Sequence, residues 1–389
     1  MPNKDKNIPK RRFKAFENAD AWELRKLGEV ADVFDGTHQT PRYTNQGVMF
    51  LSVEDINTLE SEKYISSEDF EKEFKIFPEF NDVLMTRIGD IGTSNIVKTN
   101  DKIAYYVSLA LIKPKKLESH FLNSIIQSKD FQNELWKRTL HIAFPKKINK
   151  GEISEVNLKF PTLPEQKAIG TFFSTLDRQI TLHQRKLDKL KHVKQAYLSE
   201  MFPAEGERMP KRRFPGFTDA WELRKVGEIC SISTGKSNTQ DRDEQGKFPF
   251  YVRSPIIEKS TKYLFDEEAV LTVGDGVGTG KVFHYVNGKY DLHQRVYRMF
   301  SFTHVNAKYF YYYFSKKFFD RVMAMTAKNS VDSVRLEMIS DMEITFPQLE
   351  EQEKIVKVLS TLDQQITLHQ RKLEKLKNLK KALLNELFV

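Results

Sequence analysis

Residues 160–202 read FPTLPEQKAIGTFFSTLDRQITLHQRKLDKLKHVKQAYLSEMF, and residues 346–388 read FPQLEEQEKIVKVLSTLDQQITLHQRKLEKLKNLKKALLNELF. The two stretches are identical at 27 of 43 positions, and self-similarity at a fixed offset is the mark of a duplicated architecture. A shorter pair opens each half: KRRFKAFENADAWELRKLGEV at 10–30 and KRRFPGFTDAWELRKVGEI at 211–229. The segments between, 31–159 and 230–345, are far less alike. Two near-identical frames around two divergent fillings imply two similar modules that read different things.

The long repeat is a helix by its chemistry. Phe160-Pro161 and Phe346-Pro347 mark strand exits, since proline removes a donor and extends its predecessor. From Glu165 to Phe202 and from Glu351 to Phe388, Leu, Lys, Gln and Glu dominate, and only Gly170 interrupts. Such a rod spans roughly 55 Å and needs an apolar seam to pack against. Heptads place Ile180, Leu187 and Met201 at a with Leu190 and Tyr197 at d; in the second copy Ile366, Leu373 and Leu387 are answered by Leu376 and Leu383. His183 and His369 fall at d, and Lys194 and Lys380 at a, polar interruptions that fix register. Two such helices in one chain are expected to pack antiparallel about a pseudo-twofold axis, with Leu187, Leu190, Leu373 and Leu376 mutually buried. The offset of the short repeat adds a second expectation. Residues 10–21 correspond to residues that follow the first helix, so the N-terminal segment should complete the second helix region and bring the chain ends together.

Composition sets bounds on function. A net charge of +9 and pI near 9.2 favour a polyanionic partner, and 389 residues suffice for two domains. One cysteine, Cys230, leaves no disulfide framework or cysteine-rich metal site. The chain has no run of 18 apolar residues and no signal peptide, so the expectation is a soluble, cytoplasmic protein with no membrane association.

In the first module, strand-like runs at Val83–Ile88, Asn95–Lys98 and Tyr105–Lys113 precede a helical pattern from Glu118 to Lys137. The second offers strands at Ala269–Val273, Lys281–Val286 and Val296–Met299, then a helix over Asn306–Ala324. Aligning Ile88-Gly89-Asp90-Ile91-Gly92-Thr93 with Val273-Gly274-Asp275-Gly276-Val277-Gly278-Thr279 gives both modules one α+β fold with different loops. The enzyme signatures fail. Gly274 to Lys281 lacks the glycine and the hydroxyl of a phosphate loop, because Asp275 and Val282 stand there. Glu165-Gln166-Lys167 mimics part of a nuclease site, but its counterpart is Glu351-Gln352-Glu353, so a helix-start role is expected for both glutamates.

Each module is thus preceded by a segment such as Trp22-Glu23-Leu24-Arg25-Lys26-Leu27-Gly28-Glu29-Val30 and followed by P-x-x-x-E-Q and a long helix. In this the chain resembles, over nearly its whole length, the specificity subunit of type I restriction-modification enzymes, and the run Gly274 to Met299 is similar to that family's target recognition domains. The resemblance implies an α+β protein in which two target recognition domains (22–159 and 221–345) alternate with conserved helical regions (160–220 and 346–389, the latter completed by 1–21). It also implies a non-catalytic chain that reads a bipartite site in double-stranded DNA. The helices would dock two methyltransferase subunits and, through them, motor-nuclease subunits. No cofactor is expected in this chain, since S-adenosylmethionine, ATP and magnesium would belong to those partners. The alternatives are a stand-alone DNA-modifying enzyme and a coiled-coil scaffold that binds only proteins.

For base reading, the best loops carry Thr37, His38, Gln39 and Arg42 in the first module and Lys236, Ser237, Asn238, Gln240 and Arg242 in the second, which supply groups able to pair with adenine and guanine edges. A later matched pair of loops carries Lys146 and Lys147 (Phe144 to Lys147) and Lys328 and Ser330 (Lys328 to Ser333). Arg87, Arg253, His293 and Arg295 complete the candidates.

Overall fold

The computed structural model describes residues 7–276, 278–325 and 333–388. The first module runs β1 (Glu23–Lys26), α1 (Leu27–Val30), β2 (Ala31–Asp35), β3 (Tyr43–Thr44), β4 (Val48–Leu51), β5 (Tyr64–Ile65), α2 (Ser67–Glu73), β6 (Val83–Thr86), β7 (Ser94–Ile96), β8 (Ile103–Tyr105), β9 (Leu109–Pro114), α3 (Ser119–Ile126), α4 (Lys129–Arg138), α5 (Lys150–Ser154) and β10 (Asn157–Phe160). The long helix α6 (Leu163–Glu200) follows. The second module runs β11 (Glu222–Lys225), α7 (Val226–Ile229), β12 (Ser231–Thr234), β13 (Phe248–Tyr251), β14 (Ile257–Ser260), β15 (Phe265–Val273), β16 (Phe283–Leu292), β17 (Val296–Phe300), α8 (Ala307–Met325), α9 (Leu336–Ser340) and β18 (Glu343–Phe346), and ends in α10 (Leu349–Leu387). None of the described helices is long and apolar enough to cross a membrane.

The architecture is α+β, and the repeats explain its frame. The ELRK of each short repeat forms a strand that pairs antiparallel with the strand leading into Phe-Pro: Glu23 faces Phe160, and Glu222 faces Phe346. Each module is therefore closed by a two-stranded ribbon whose outgoing strand feeds a long helix. Inside the modules the antiparallel trio β2·β9·β6 matches β12·β17·β15, and the parallel pair β4·β8 matches β13·β16. The long β16 does the work of both β7 and β8, so one six-stranded sheet in the second module stands where the first has two sheets of four. Two expected elements are split. The run Tyr105–Lys113 breaks between β8 and β9 because Val107 N–H donates to Thr37 O (2.9 Å) instead of to a ladder. The helix expected over Glu118–Lys137 is two helices, α3 and α4, the second capped by Ser128, whose hydroxyl accepts from Phe131 N–H at 3.4 Å.

The chain forms two compact units, 1–184 with 371–389 and 185–370, so each long helix contributes to both. In the first, Phe388 stacks on Phe173 (5.7 Å), Lys380 reaches Asp177 (2.5 Å), and Leu376 shares a core with Ile180. Numbers on one helix fall as those on the other rise, so the helices run antiparallel. The second unit repeats this: Lys194 reaches Asp363 (2.5 Å), and Met201 and Phe202 share a core with Ile355 and Leu359. The two seam lysines thus answer aspartates of the opposite helix. Leu187, Ile366, Leu373 and Leu383 are buried, whereas Ile180, Leu190, Tyr197 and Leu376 are half-buried.

The segment before each module is tied down twice. Arg11 N–H donates to Glu386 O (2.9 Å) and its guanidinium pairs with the Glu386 carboxylate (2.8 Å); Arg212 treats Glu200 the same way (2.8 and 2.6 Å). The next arginine then enters the interior. Arg12 forks onto Glu165 (2.7 and 2.6 Å) with the two side chains only 6% and 1% exposed, and Arg213 forks onto Glu351 (both 2.8 Å). Gln166 and Gln352 complete the set: their carbonyl oxygens accept from Glu118 and Asn306 N–H (2.9 and 2.8 Å), and their amides donate to Pro161 and Pro347 O (2.9 and 2.7 Å). The helix-start role expected for Glu165 and Glu351 is therefore too narrow, because each is a buried anchor for an arginine far away in sequence. Removing one partner strands a buried charge, which costs about 3–5 kcal/mol. Arg12→Ala and Arg213→Ala should each lose stability on that scale in urea unfolding followed by circular dichroism. Adding Glu165→Gln to Arg12→Ala should recover part of it, and an unchanged midpoint in the single variants would contradict the assignment.

Candidate nucleic-acid interface

Alternating strand direction brings the candidate loops to one end of each module. β2 ends at Asp35, β9 begins at Leu109 and β6 ends at Thr86, so the loops 36–42, 87–93 and 106–108 leave the same edge. In the second module β12 ends at Thr234, β17 begins at Val296 and β15 ends at Val273, which gathers 235–242, 274–276 with 278–282, and 293–295. The first loop of each set is pinned at a glycine where backbones nearly touch. A β-carbon at Gly36 would lie 2.4 Å from Tyr105 O, and one at Gly235 would lie 2.0 Å from Leu292 O. Just beyond, Thr37 N–H donates to Tyr105 O (3.1 Å) and Ser237 N–H to Leu292 O (3.1 Å).

The same backbone bonds set the internal register. Arg87 N–H donates to Ser108 O and Arg87 O accepts from Ile148 N–H; Gly274 does both with Arg295 and Val334. Arg87 therefore occupies the place of Gly274, and Gly89 that of Gly276, both with φ of +80°. The alignment of Gly89 with Gly274 is off by two, because it followed a shared Gly-Asp dipeptide and not the hydrogen-bond ladder.

The candidates divide into groups facing water and groups held inside. His38, Gln39, Arg42, Lys146 and Lys147 are exposed in the first module, and Lys236, Gln240, Arg242, Arg253 and Arg295 in the second. Thr37 is half-buried, its hydroxyl bonded to Glu73 at 3.3 Å. Arg87 is a correction: it is 5% exposed, donates from Nε to Ile148 O (3.0 Å) and pairs with Asp35, which fastens β2 to the 87–93 loop. Ser237 and His293 are also buried, Ser237 donating to Asp291 at 2.6 Å. Lys328 and Ser330 lie outside the described residues. In the second module Asn238, Gln240, Arg253 and Arg295 line one recess with Gln294, whose amide donates to Asn238 Oδ1 (2.5 Å). Asp275 holds Arg253 (3.4 Å) and Arg295 (3.7 Å) over it. Sequence reasoning passed over Gln294 and the bracing role of Asp275. The signal was there, since both stand in the Gly274–Met299 run. The recess has amides as donors and acceptors and guanidinium forks as donors, a set suited to base edges and phosphates.

The two modules are thus one frame used twice, with chemically different loops at matching strand ends. The chain belongs to the type I restriction modification DNA specificity domain family, whose model matches residues 19–192 and 218–378. It is similar to the putative type I restriction enzyme MjaX specificity subunit of Methanocaldococcus jannaschii, 22% identical over 95% of this chain and 93% of that protein. It also resembles the type I restriction enzyme EcoDI specificity subunit of Escherichia coli, 25% identical over 40% of this chain and 34% of that one. Among solved structures, the S subunit of a type I restriction-modification system from M. genitalium matches 98% of this chain and 99% of its own with a TM-score of 0.73 at 15% identity, a likeness of fold.

Burial first, and the Arg253 cation second, hold the His293 imidazole below its ordinary value, while Asp275 opposes the shift. The neutral ring fits the site, because Nδ1 accepts from Arg295 N–H at 3.0 Å. As pH falls through about 6.5 the unfolded chain protonates first, so the stability this residue contributes is present above that pH and declines below it. An NMR titration should place the His293 midpoint below 6.5, and Arg253→Ala should move it upward. A midpoint above 6.5 in the unmodified chain would refute this reading.

Proposed function

We propose that this chain is the non-catalytic reader of its restriction-modification complex, with each module contacting one half of a bipartite site in double-stranded DNA. One observation carries the reading. The two modules present the same strand ends, pinned by the same backbone bonds, but the loops leaving them differ in chemistry: His38, Gln39 and Arg42 in one, Gln240, Arg253, Gln294 and Arg295 in the other. A common frame with different exposed donors is what two different half-sites require. The basic balance of the chain supplies the phosphate attraction that positions such loops.

Two copies of one methyltransferase fit the repeated frame. Leu24 and Leu223, Leu163 and Leu349, and Leu182 and Leu368 are exposed at equivalent places in the repeats. Leucines left partly exposed at equivalent positions suit a surface used twice by the same partner. The methyltransferases would carry S-adenosylmethionine and methylate adenine; motor-nuclease subunits carrying ATP and magnesium would join through them.

The test is to map methylated adenines in cells that carry the intact methyltransferase and a variant of this chain. His38→Ala with Arg42→Ala should change one half-site alone, and Gln240→Ala with Arg295→Ala the other. Each lost bidentate contact should cost about 1–3 kcal/mol at one base position, whereas loss of a phosphate contact would weaken all sequences alike and lower the salt slope by about one. Half-sites that shift together would reject the two-reader reading.

A further inference from the structure

The 139–147 loop of the first module has an exposed apolar tip that neither the core nor the frame accounts for. Ile142 is 100% exposed and Phe144 103%, so both side chains stand fully in water. The loop that carries them is nevertheless fixed at its base. Leu140 N–H donates to Lys147 O (2.8 Å), Gly89 N–H donates to Lys146 O (2.8 Å), and Ile148 N–H donates to Arg87 O (3.0 Å). These bonds set the tip beside the 87–93 loop, at the end of the sheet from which the 36–42 loop also leaves. Behind the tip, Trp136 packs on His141 with ring centroids 4.0 Å apart and receives the Lys146 ammonium over its face at 5.0 Å.

Charge says what the tip meets. From Leu135 to Gly151 the chain has no carboxylate, and Lys146, Lys147 and Lys150 are all exposed. Two bulky apolar groups ringed by cations suit a surface that is apolar at its centre and anionic at its margins. A DNA base step flanked by phosphates is such a surface, and inserted apolar side chains are a known means of parting stacked bases. We propose that Ile142 and Phe144 act as a wedge that enters the half-site read by the first module and unstacks one base step, while Lys146 and Lys147 hold the neighbouring phosphates. Unstacking makes recognition depend on how readily that step deforms, which adds sequence preference at bases no polar side chain touches. The inference rests on the DNA-reading function proposed above.

The experiment uses the full chain assembled with its methyltransferase and duplexes carrying the bipartite sequence found by methylome mapping. 2-Aminopurine is placed in turn at positions other than the methylated adenine. The wedge predicts a several-fold fluorescence rise on binding at a single step in the half-site of the first module. Ile142→Ala with Phe144→Ala should abolish that rise and weaken binding about tenfold or more, while methyltransferase assembly, followed by gel filtration, stays intact. Phe144→Leu, which keeps an apolar tip, should retain much of the signal. Binding without any such rise, or a double variant that keeps it, would overturn the wedge while leaving the reading function standing. A double variant that loses methyltransferase and keeps unstacking would overturn it in favour of a protein-docking tip. If no methylated sequence and no DNA binding were found, the function and the wedge would fall together.

Discussion

A carboxylate buried at the start of each long helix governs how this chain closes. Glu165 and Glu351 are buried, and Arg12 and Arg213 reach them with two hydrogen bonds each. Those arginines lie in the segments that precede the modules. The pair therefore fixes where each module begins relative to where it ends, and the two-stranded ribbon that follows, β1·β10 or β11·β18, is held in register by the same closure. Glutamine next to each glutamate then joins the helix start to α3 or α8 of its own module. One ion pair, one ribbon and one glutamine make a base from which everything else extends.

That base leaves the far end of each sheet free to vary. The loops there are pinned through main-chain groups, at Thr37 and Ser237 and at Arg87 and Gly274, so side chains change without disturbing the strands. The comparison of Arg87 with Gly274 makes the point. In the first module a buried guanidinium pairs with Asp35. At the matching place in the second there is no side chain, and Asp275 braces two exposed arginines instead. Equal backbones thus present unequal chemistry.

Most of the frame was legible because it depends on periodicity and repetition. Heptads mark Leu187 and Leu373, which are buried, and the duplicated Phe-Pro marks the ends of β10 and β18. What stayed hidden depends on long-range partners that a local pattern does not encode. Nothing near Glu165 in the chain points to Arg12, and nothing in Tyr105–Lys113 reveals that Thr37 takes one of its backbone bonds. The candidate loops were found from their place after Trp22 and Trp221, but the sorting of Arg87, Ser237 and His293 into the interior needed the fold, since polar residues in a loop look alike until their partners are placed. The two-residue error at Gly89 has the same origin: residue identity suggested one register and hydrogen bonding imposed another.

The central claim is that the segment around Arg11 and Arg12 completes the frame at the end of α10, as the segment around Arg212 and Arg213 does at the end of α6. A circular permutant tests it most directly. The chain would be opened between Glu205 and Gly206, and Phe388 would be joined to Lys10 through a copy of residues 203–210. The account predicts a urea midpoint close to that of the parent and an unchanged methylation sequence when the permutant is paired with the methyltransferase. A permutant that fails to fold, or that folds but loses recognition of both halves of the site, would contradict it.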